Sequence, residues 1–524
     1  MHIELLWLDL MVVVAYIITL LAIGFWVSFK KGHTDDLFLA GRTLGWPNVG
    51  LSIFGTNVTP SMLLTSCGVA YSTGMVASNF EWMAWIYLFL LGMVFIPHYM
   101  NTRICTMPEF LSYRFDESCR TFLSWYMVVA TAVIWLAEPL FIGGLLLSQI
   151  TGWEYFWCVL LLTVIATSFT VAGGLAAVVI TDSFQSILLI GASIALTVIG
   201  FYKIGSLEKV VNSVPGDYWV LFRPHNDASY PWHAIVLGYP VIGIWFWCTD
   251  QTIVQRVLGA RNITQGQLGS IFAAFLKVLS PLIFFLPGIF CRILHPELSD
   301  PDSAYVKMVA EYLPTGMVGL IIAVLIAALI STLDSGLNSL STVFTLDIYV
   351  KKFRPNADAK ERIRLGRIVT VLAAVVGTCF ALLLAQVKDK GLDLFSILMA
   401  MLCFFAPPLS AVFTVGVLWR RATKTAALFT LIFGSIFCGG IGICYMIWPL
   451  WVHWPHFMLL SFYLFAILTI LMIIISLFTE APDAAHTLPT LRQTYANQGH
   501  TSKVVWWLWG LLTVIMVAIY IVFN

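Results

Sequence analysis

The chain is built almost entirely from apolar runs of about 20 residues, the length a helix needs to cross the hydrocarbon core of a bilayer. They fall at 7–28, 48–72, 80–99, 121–149, 154–172, 176–202, 233–255, 266–291, 314–346, 364–387, 393–418, 423–447, 455–478 and 504–523. Within a bilayer every backbone polar group must be satisfied internally, and helices do this within one segment. The 524 residues are 60% hydrophobic and 10% charged, with mean hydropathy +0.90. No soluble domain of this size has that composition. The fold class is therefore an all-α polytopic membrane protein of about 14 transmembrane helices.

Several function classes fall away. A net charge of +1 gives no global attraction to nucleic acid. The 10 cysteines are scattered through apolar runs without a C-x-x-C or His/Cys cluster, so they read as small buried hydrophobes. No nucleophile–base pair, phosphate loop or metal cluster points to an enzyme. The start, Met-His-Ile-Glu, lacks the basic region of a cleaved leader, so the first run reads as a retained span. No extramembrane stretch exceeds about 30 residues, so 1–524 reads as a single transmembrane domain.

Lys/Arg placement sets an orientation. With the loop FKKGHTDDLFLAGR in the cytoplasm, most of the 28 Lys and Arg fall on the cytoplasmic side. An even number of spans then puts both termini outside, in a plasma (inner) membrane.

Two spans are interrupted. The first contains Phe54-Gly55-Thr56-Asn57-Val58-Thr59-Pro60, and the second contains Gly238-Tyr239-Pro240-Val241-Ile242-Gly243. Proline disrupts a helix interior and glycine weakens it. Broken spans at corresponding places, here five spans apart, are the mark of an inverted-repeat transporter with a midplane site.

A third span, LIAALISTLDSGLNSLSTVFTLDIY (325–349), carries Ser331, Thr332, Asp334 and Ser335 within about one helical turn. Residues three and four apart share a helix face, and a carboxylate among hydroxyls offers hard oxygens to hard cations. Asp182 lies in a neighbouring span, within GGLAAVVITDSFQ. Asp182, Ser331, Asp334 and Ser335 could ring one cation, or the two acids could share a proton across helices. Five more oxygens could come from the Gly55, Val58 and Ala328 carbonyls with Ser331 and Thr332, a set that suits Na⁺. Asn57, Glu81, Lys277 and Trp247 offer an amide, a carboxylate, an ammonium and an aromatic face, the lining a polyhydroxylated ring wants. The bland alternative is a Glu81–Lys277 ion pair that only locks two helices. Asp250 and Arg256 read as a solvated or paired set near the cytoplasmic end, and Glu138 has no assigned role.

The stretches DDLFLAGR (35–42), TMPEFLSYRF (106–115), GGLAAVVITDSFQ (173–185), WFWCTDQTIVQR (245–256) and STLDSGLNSLSTVFTLDIY (331–349) make the chain resemble the sodium:solute symporter family over roughly residues 5–450. FEWM (80–83), WCTDQTIVQR (247–256) and FLKV (275–278) are most similar to its sodium/glucose cotransporter branch. The resemblance implies a LeuT-like 5+5 inverted repeat, 48–202 and 233–418. One helix (7–28) would precede it and three (423–447, 455–478, 504–523) follow. It implies Na⁺-driven symport of a small polar solute, a monosaccharide such as glucose or galactose.

Carried over by position, one Na⁺ site falls on Gly55, Val58, Ala328, Ser331 and Thr332. A second falls on Asp182, Ser331, Asp334 and Ser335. Solute ligands fall on Asn57, Glu81 and Lys277 with Trp247 beside them, and aromatic gates on Phe80, Phe395 and Phe246. Met62 and Met399 stand where sugar carriers of this kind have a polar or imidazole ligand, and Phe246 where they have a gate tyrosine. Three lost polar contacts, at about 0.5–1.5 kcal/mol each, weaken glucose binding or mark a less hydroxylated or differently oriented solute. Inositol or a carboxylate on the same scaffold, a non-transporting sensor and a proton-coupled carrier are the remaining alternatives.

Overall fold

The computed structural model describes residues 6–30, 38–227, 229–388, 394–447, 454–483, 493 and 503–524. Among these the chain is helical, with two isolated β-bridges, Leu44–Ala260 and Arg223–Pro231. The helices that build the centre are α1 (Trp7–Lys30), α2 (Trp46–Asn57), α3 (Pro60–Thr73), α4 (Tyr155–Ile204), α5 (Trp232–Gly243), α6 (Gln251–Leu258), α7 (Ile263–Phe284), α8 (Met317–Val343) and α9 (Leu394–Leu418). Among the described residues, ten helical stretches are long and apolar enough to cross a membrane, and three shorter apolar helices accompany them.

Burial separates a core from a rim. The most apolar window of Met317–Phe353 is 89% buried, against 33% for Phe457–Phe478 and 22% for Lys503–Val522. Rim helices turn Phe478, Trp507 and Val522 outward, as helices facing lipid tails do. Helix α8 packs on α4, and α2 packs on both α7 and α4, so the polar stripe of α8 meets the broken first span inside the core.

The first break is where the sequence puts it. Helix α2 ends at Asn57, Val58 and Thr59 are extended, and α3 restarts at Pro60. Proline at the first helical position costs nothing there, since its missing N–H would be unpaired anyway. Thr59 caps the new helix, its Oγ1 accepting from the Met62 N–H at 3.1 Å.

The second break is displaced from its sequence expectation. Gly238–Gly243, with Pro240 inside, is helical within α5. Gly238 is instead a packing residue, because a Cβ there would run into the Met458 backbone. The helix widens into a π turn over Ile244–Thr249, goes extended at Asp250 (φ −70, ψ 131) and restarts as α6. Asp250 caps that restart, accepting from the Thr252 N–H at 2.8 Å. It is therefore a buried helix cap, so of the two alternatives the solvated one does not hold.

The long helix α4 is two spans joined at Gly174, whose φ of 54 and ψ of −160 only glycine adopts readily. Elsewhere buried arginines hold the bundle ends. Arg114 donates to the carbonyls of Gly416 in the last turn of α9 and of Trp419, Arg420 and Ala422 just beyond it, where helical donors run out. Arg120 pairs with Asp347 at 2.6 Å.

Candidate functional site

Interrupting α2 frees carbonyls. The Thr59 N–H, which would bond Gly55, turns to the Asn57 carbonyl at 3.1 Å. The Met62 N–H, which would bond Val58, goes to Thr59 Oγ1. The Gly55 and Val58 carbonyls thus lose their helical donors, and at membrane depth such groups need another partner. On α8, Thr332 Oγ1 donates to the Ala328 carbonyl at 2.9 Å, placing those two oxygens together. Ser52, one turn before Gly55, and Ser331, next to Thr332, both donate to the Asp182 carboxylate, Ser52 at 2.6 Å. One buried carboxylate therefore ties α2 to α8 beside the freed carbonyls.

Asn57, Glu81, Trp247 and Lys277 come together as their types suggested. The Lys277 ammonium donates to Asn57 Oδ1 and to Glu81 Oε2, the latter at 2.5 Å. It also lies 5.3 Å from the Trp247 ring centroid and 5.8 Å from that of Phe54. Lys277 is 1% exposed and Glu81 4%. A charge so buried is tolerated only when paired, and an aromatic face adds cation–π attraction. Phe80 sits beside this cluster, edge-on to Tyr239 and Tyr230, and its carbonyl accepts from the Tyr239 hydroxyl at 2.5 Å. Phe246 stands edge-on to Trp247 with centroids 4.9 Å apart and leans on Trp135. Met62 is half-buried in the first turn of α3. The side chains of Phe395 and Met399 lie outside the described residues.

The carboxylate cluster is rearranged relative to the sequence expectation. Asp334 does not join Asp182: its carboxylate accepts from Thr170 Oγ1 on α4 at 3.0 Å. Residues 334 and 331 share a broad face, but Asp334 meets Thr170 and Ser331 meets Asp182, on either side of the Gly174 joint of α4. Arg256, expected at the cytoplasmic end, takes the place instead. It lies in α6, every residue of which is buried. Its Nε donates to Ser52 Oγ at 3.0 Å, and its Nη2 reaches Asp182 Oδ2 at 3.4 Å and Ser335 Oγ. Its Nη1 donates to the Thr252 carbonyl.

Sequence reasoning missed Arg256, Ser52, Thr170 and Tyr239. For Arg256 a signal was there: an arginine directly after the span at 233–255, one helical turn beyond Thr252, can be drawn to an acid inside the bundle. Among the described residues, no three His, Cys, Asp or Glu side chains cluster as metal ligands, so hydroxyls and carbonyls are the oxygens on offer.

Two helix breaks, freed backbone oxygens and a buried polar cluster are features expected of a secondary active transporter. Residues 37–434 match the sodium:solute symporter family, and the chain belongs to it. It is a multi-pass membrane protein that couples the movement of a small solute to Na⁺. The chain is 32% identical over 465 residues to sodium/glucose cotransporter 4 of Danio rerio, covering 82% of this chain and 70% of that one. It is 32% identical over 472 residues to sodium/myo-inositol cotransporter 2 of Oryctolagus cuniculus, covering 82% and 68%. The fold is that of LeuT-type transporters. It matches a substrate-bound, outward-open Na⁺-coupled sialic acid symporter with a TM-score of 0.77 at 20% identity, covering 91% of this chain and 99% of that one.

Proposed function

We propose that the transported solute is a cyclic polyol, a monosaccharide such as glucose or galactose or an inositol, held by Asn57, Glu81, Lys277 and Trp247. The observation that carries this reading is the Lys277-centred cluster. It supplies an acceptor, a donor and an amide around one ammonium, with a flat apolar face beside them. Ring hydroxyls pair with the first three and the C–H face rests on the last. Relatives named for glucose and for myo-inositol support a ring of this kind. Met62 and Phe246 offer no hydroxyl or imidazole, which favours a solute making fewer contacts there.

The coupling Na⁺ binds at Gly55, Val58, Ala328, Ser331 and Thr332, and so stabilises the extended stretch at Val58–Thr59. Solute binding one residue away, at Asn57, then senses whether the ion is in place. Phe80 and Phe395 close over the solute from outside and Phe246 from inside. The repeats are 48–202 and 233–418, and both termini face outside, as the Lys/Arg distribution favours. Each Na⁺ charge crossing the membrane is worth ~2.3 kcal/mol per 100 mV, about fiftyfold accumulation of a neutral solute.

The test is uptake by proteoliposomes holding the full chain under an inward Na⁺ gradient, with glucose, galactose, mannose, myo-inositol and a monocarboxylate offered in turn. Na⁺-dependent uptake of a sugar or inositol is the result expected. Uptake of the carboxylate alone overturns the polyol reading, and no uptake of any solute favours a sensor.

A further inference from the structure

We infer that Arg256 is a tethered cation occupying the Asp182 oxygen cluster, so that this cluster takes no Na⁺ and the coupling ratio is one Na⁺ per solute. The oxygens that would ring a second ion are Asp182, Ser331, Asp334 and Ser335. Two of them, Asp182 and Ser335, meet the guanidinium, and Ser331 donates to Asp182. Asp182 Oδ2 faces the guanidinium at 3.4 Å and accepts from Ser52 Oγ at 2.6 Å, while Oδ1 accepts from Ser331. Ser335 Oγ accepts from the guanidinium and itself donates to the Ser331 carbonyl at 2.7 Å. The fourth, Asp334, is turned to Thr170. The residues present therefore do not fit a second metal ion; they fit the guanidinium already there.

Charge and geometry agree. Asp182 is fully buried and Arg256 is 1% exposed, so each charge has the other as its partner. A Na⁺ seated on Asp182 Oδ2 would lie against the guanidinium, and like charges at that range repel. The fork-shaped guanidinium also meets four oxygens from three helices and one turn of its own, which a spherical ion would replace only partly. The Gly55–Thr332 set is a different case, because no side-chain cation touches those five oxygens among the described residues.

The inference concerns how many ions bind and not which solute is carried, so it stands or falls apart from the polyol reading. The measurement is ²²Na⁺ bound per purified full-length transporter, joined to the Na⁺:solute flux ratio for whichever solute is transported. The wild type should bind one Na⁺ and show hyperbolic Na⁺ activation. Arg256→Gln frees Asp182 and should raise the count to two, with activation turning sigmoidal. Arg256→Lys, which keeps a tethered charge, should stay at one. The double variant Asp182→Asn/Arg256→Gln should also stay at one. A wild-type count of two that falls to one in Asp182→Asn overturns the inference, as does an Arg256→Gln protein that still binds one. If Arg256→Gln does not fold, the wild-type and double-variant counts decide: one in both supports the inference, and two in either overturns it.

Discussion

Two buried cation–carboxylate pairs flank the broken first helix, and they are built to opposite ends. Lys277 and Glu81 stand in an aromatic setting, with an ammonium on a flexible stem and one amide partner, Asn57. Arg256 and Asp182 stand among hydroxyls, with a planar fork held by Ser52, Ser335 and the Thr252 carbonyl. An ammonium is a point charge that can exchange one oxygen for another as a solute arrives. A guanidinium bonded on every side cannot move without breaking several bonds at once. The first pair is a site that can open to a ligand; the second is a rivet that sets the distance between α2, α4, α6 and α8.

The contrast predicts unequal damage. Asp182→Ala should cost about 3–5 kcal/mol of stability, because it strands a buried guanidinium. Thermal or denaturant unfolding in detergent would show it, and an unfolding midpoint like the wild type's would remove the rivet role. Lys277→Ala leaves Glu81 buried without its cation, so it too costs stability, and it strikes binding as well. A hydrogen bond to a charged group is worth about 1.5–3 kcal/mol, so solute affinity should fall roughly 10- to 100-fold. The Na⁺ count should stay unchanged. Were both affinity and transport preserved, the pair would only lock two helices.

The difference between the pairs also marks what could be read from sequence. The Lys277 cluster was legible because each member is an intramembrane polar residue with no nearby partner in sequence, and such groups must find one another. The break at Val58–Thr59 was legible because Pro60 removes a donor. The Asp182 cluster was legible in part: Ser331 bonds Asp182 and Ser335 meets the guanidinium that faces Asp182, while Asp334 turns to Thr170. Helical spacing places Ser331, Asp334 and Ser335 on one face, but it does not say which residue of α4 each meets. Arg256 was misplaced for a related reason: charge near the end of an apolar run reads as a loop, and only the displaced second break, at Asp250, folds α6 back into the core. Gly238 looked like a break and is a contact point for Met458, a distinction that lives in packing alone.

Smaller effects sharpen the comparison. Thr332→Ala removes one oxygen of the proposed Na⁺ set, at about 0.5–1.5 kcal/mol, so the Na⁺ concentration for half-maximal uptake should rise roughly two- to tenfold. Solute affinity at saturating Na⁺ should be kept. An unchanged Na⁺ dependence would move the ion elsewhere. Tyr239→Phe removes the hydroxyl bonded to the Phe80 carbonyl and leaves the ring contact intact. A few-fold faster release of bound solute is expected, read by washout of label, and a wild-type release rate would separate Phe80 from the gate.

The central claim, that the Lys277-centred cluster holds the solute beside the helix break, is tested most directly by Glu81→Gln. The substitution keeps the size of the side chain and removes the charge that Lys277 faces. Na⁺-driven uptake, measured over a range of solute concentrations at saturating Na⁺, should show KM raised at least tenfold in a folded protein whose Na⁺ dependence is intact. A Glu81→Gln protein that takes up solute with the wild-type KM would contradict the account.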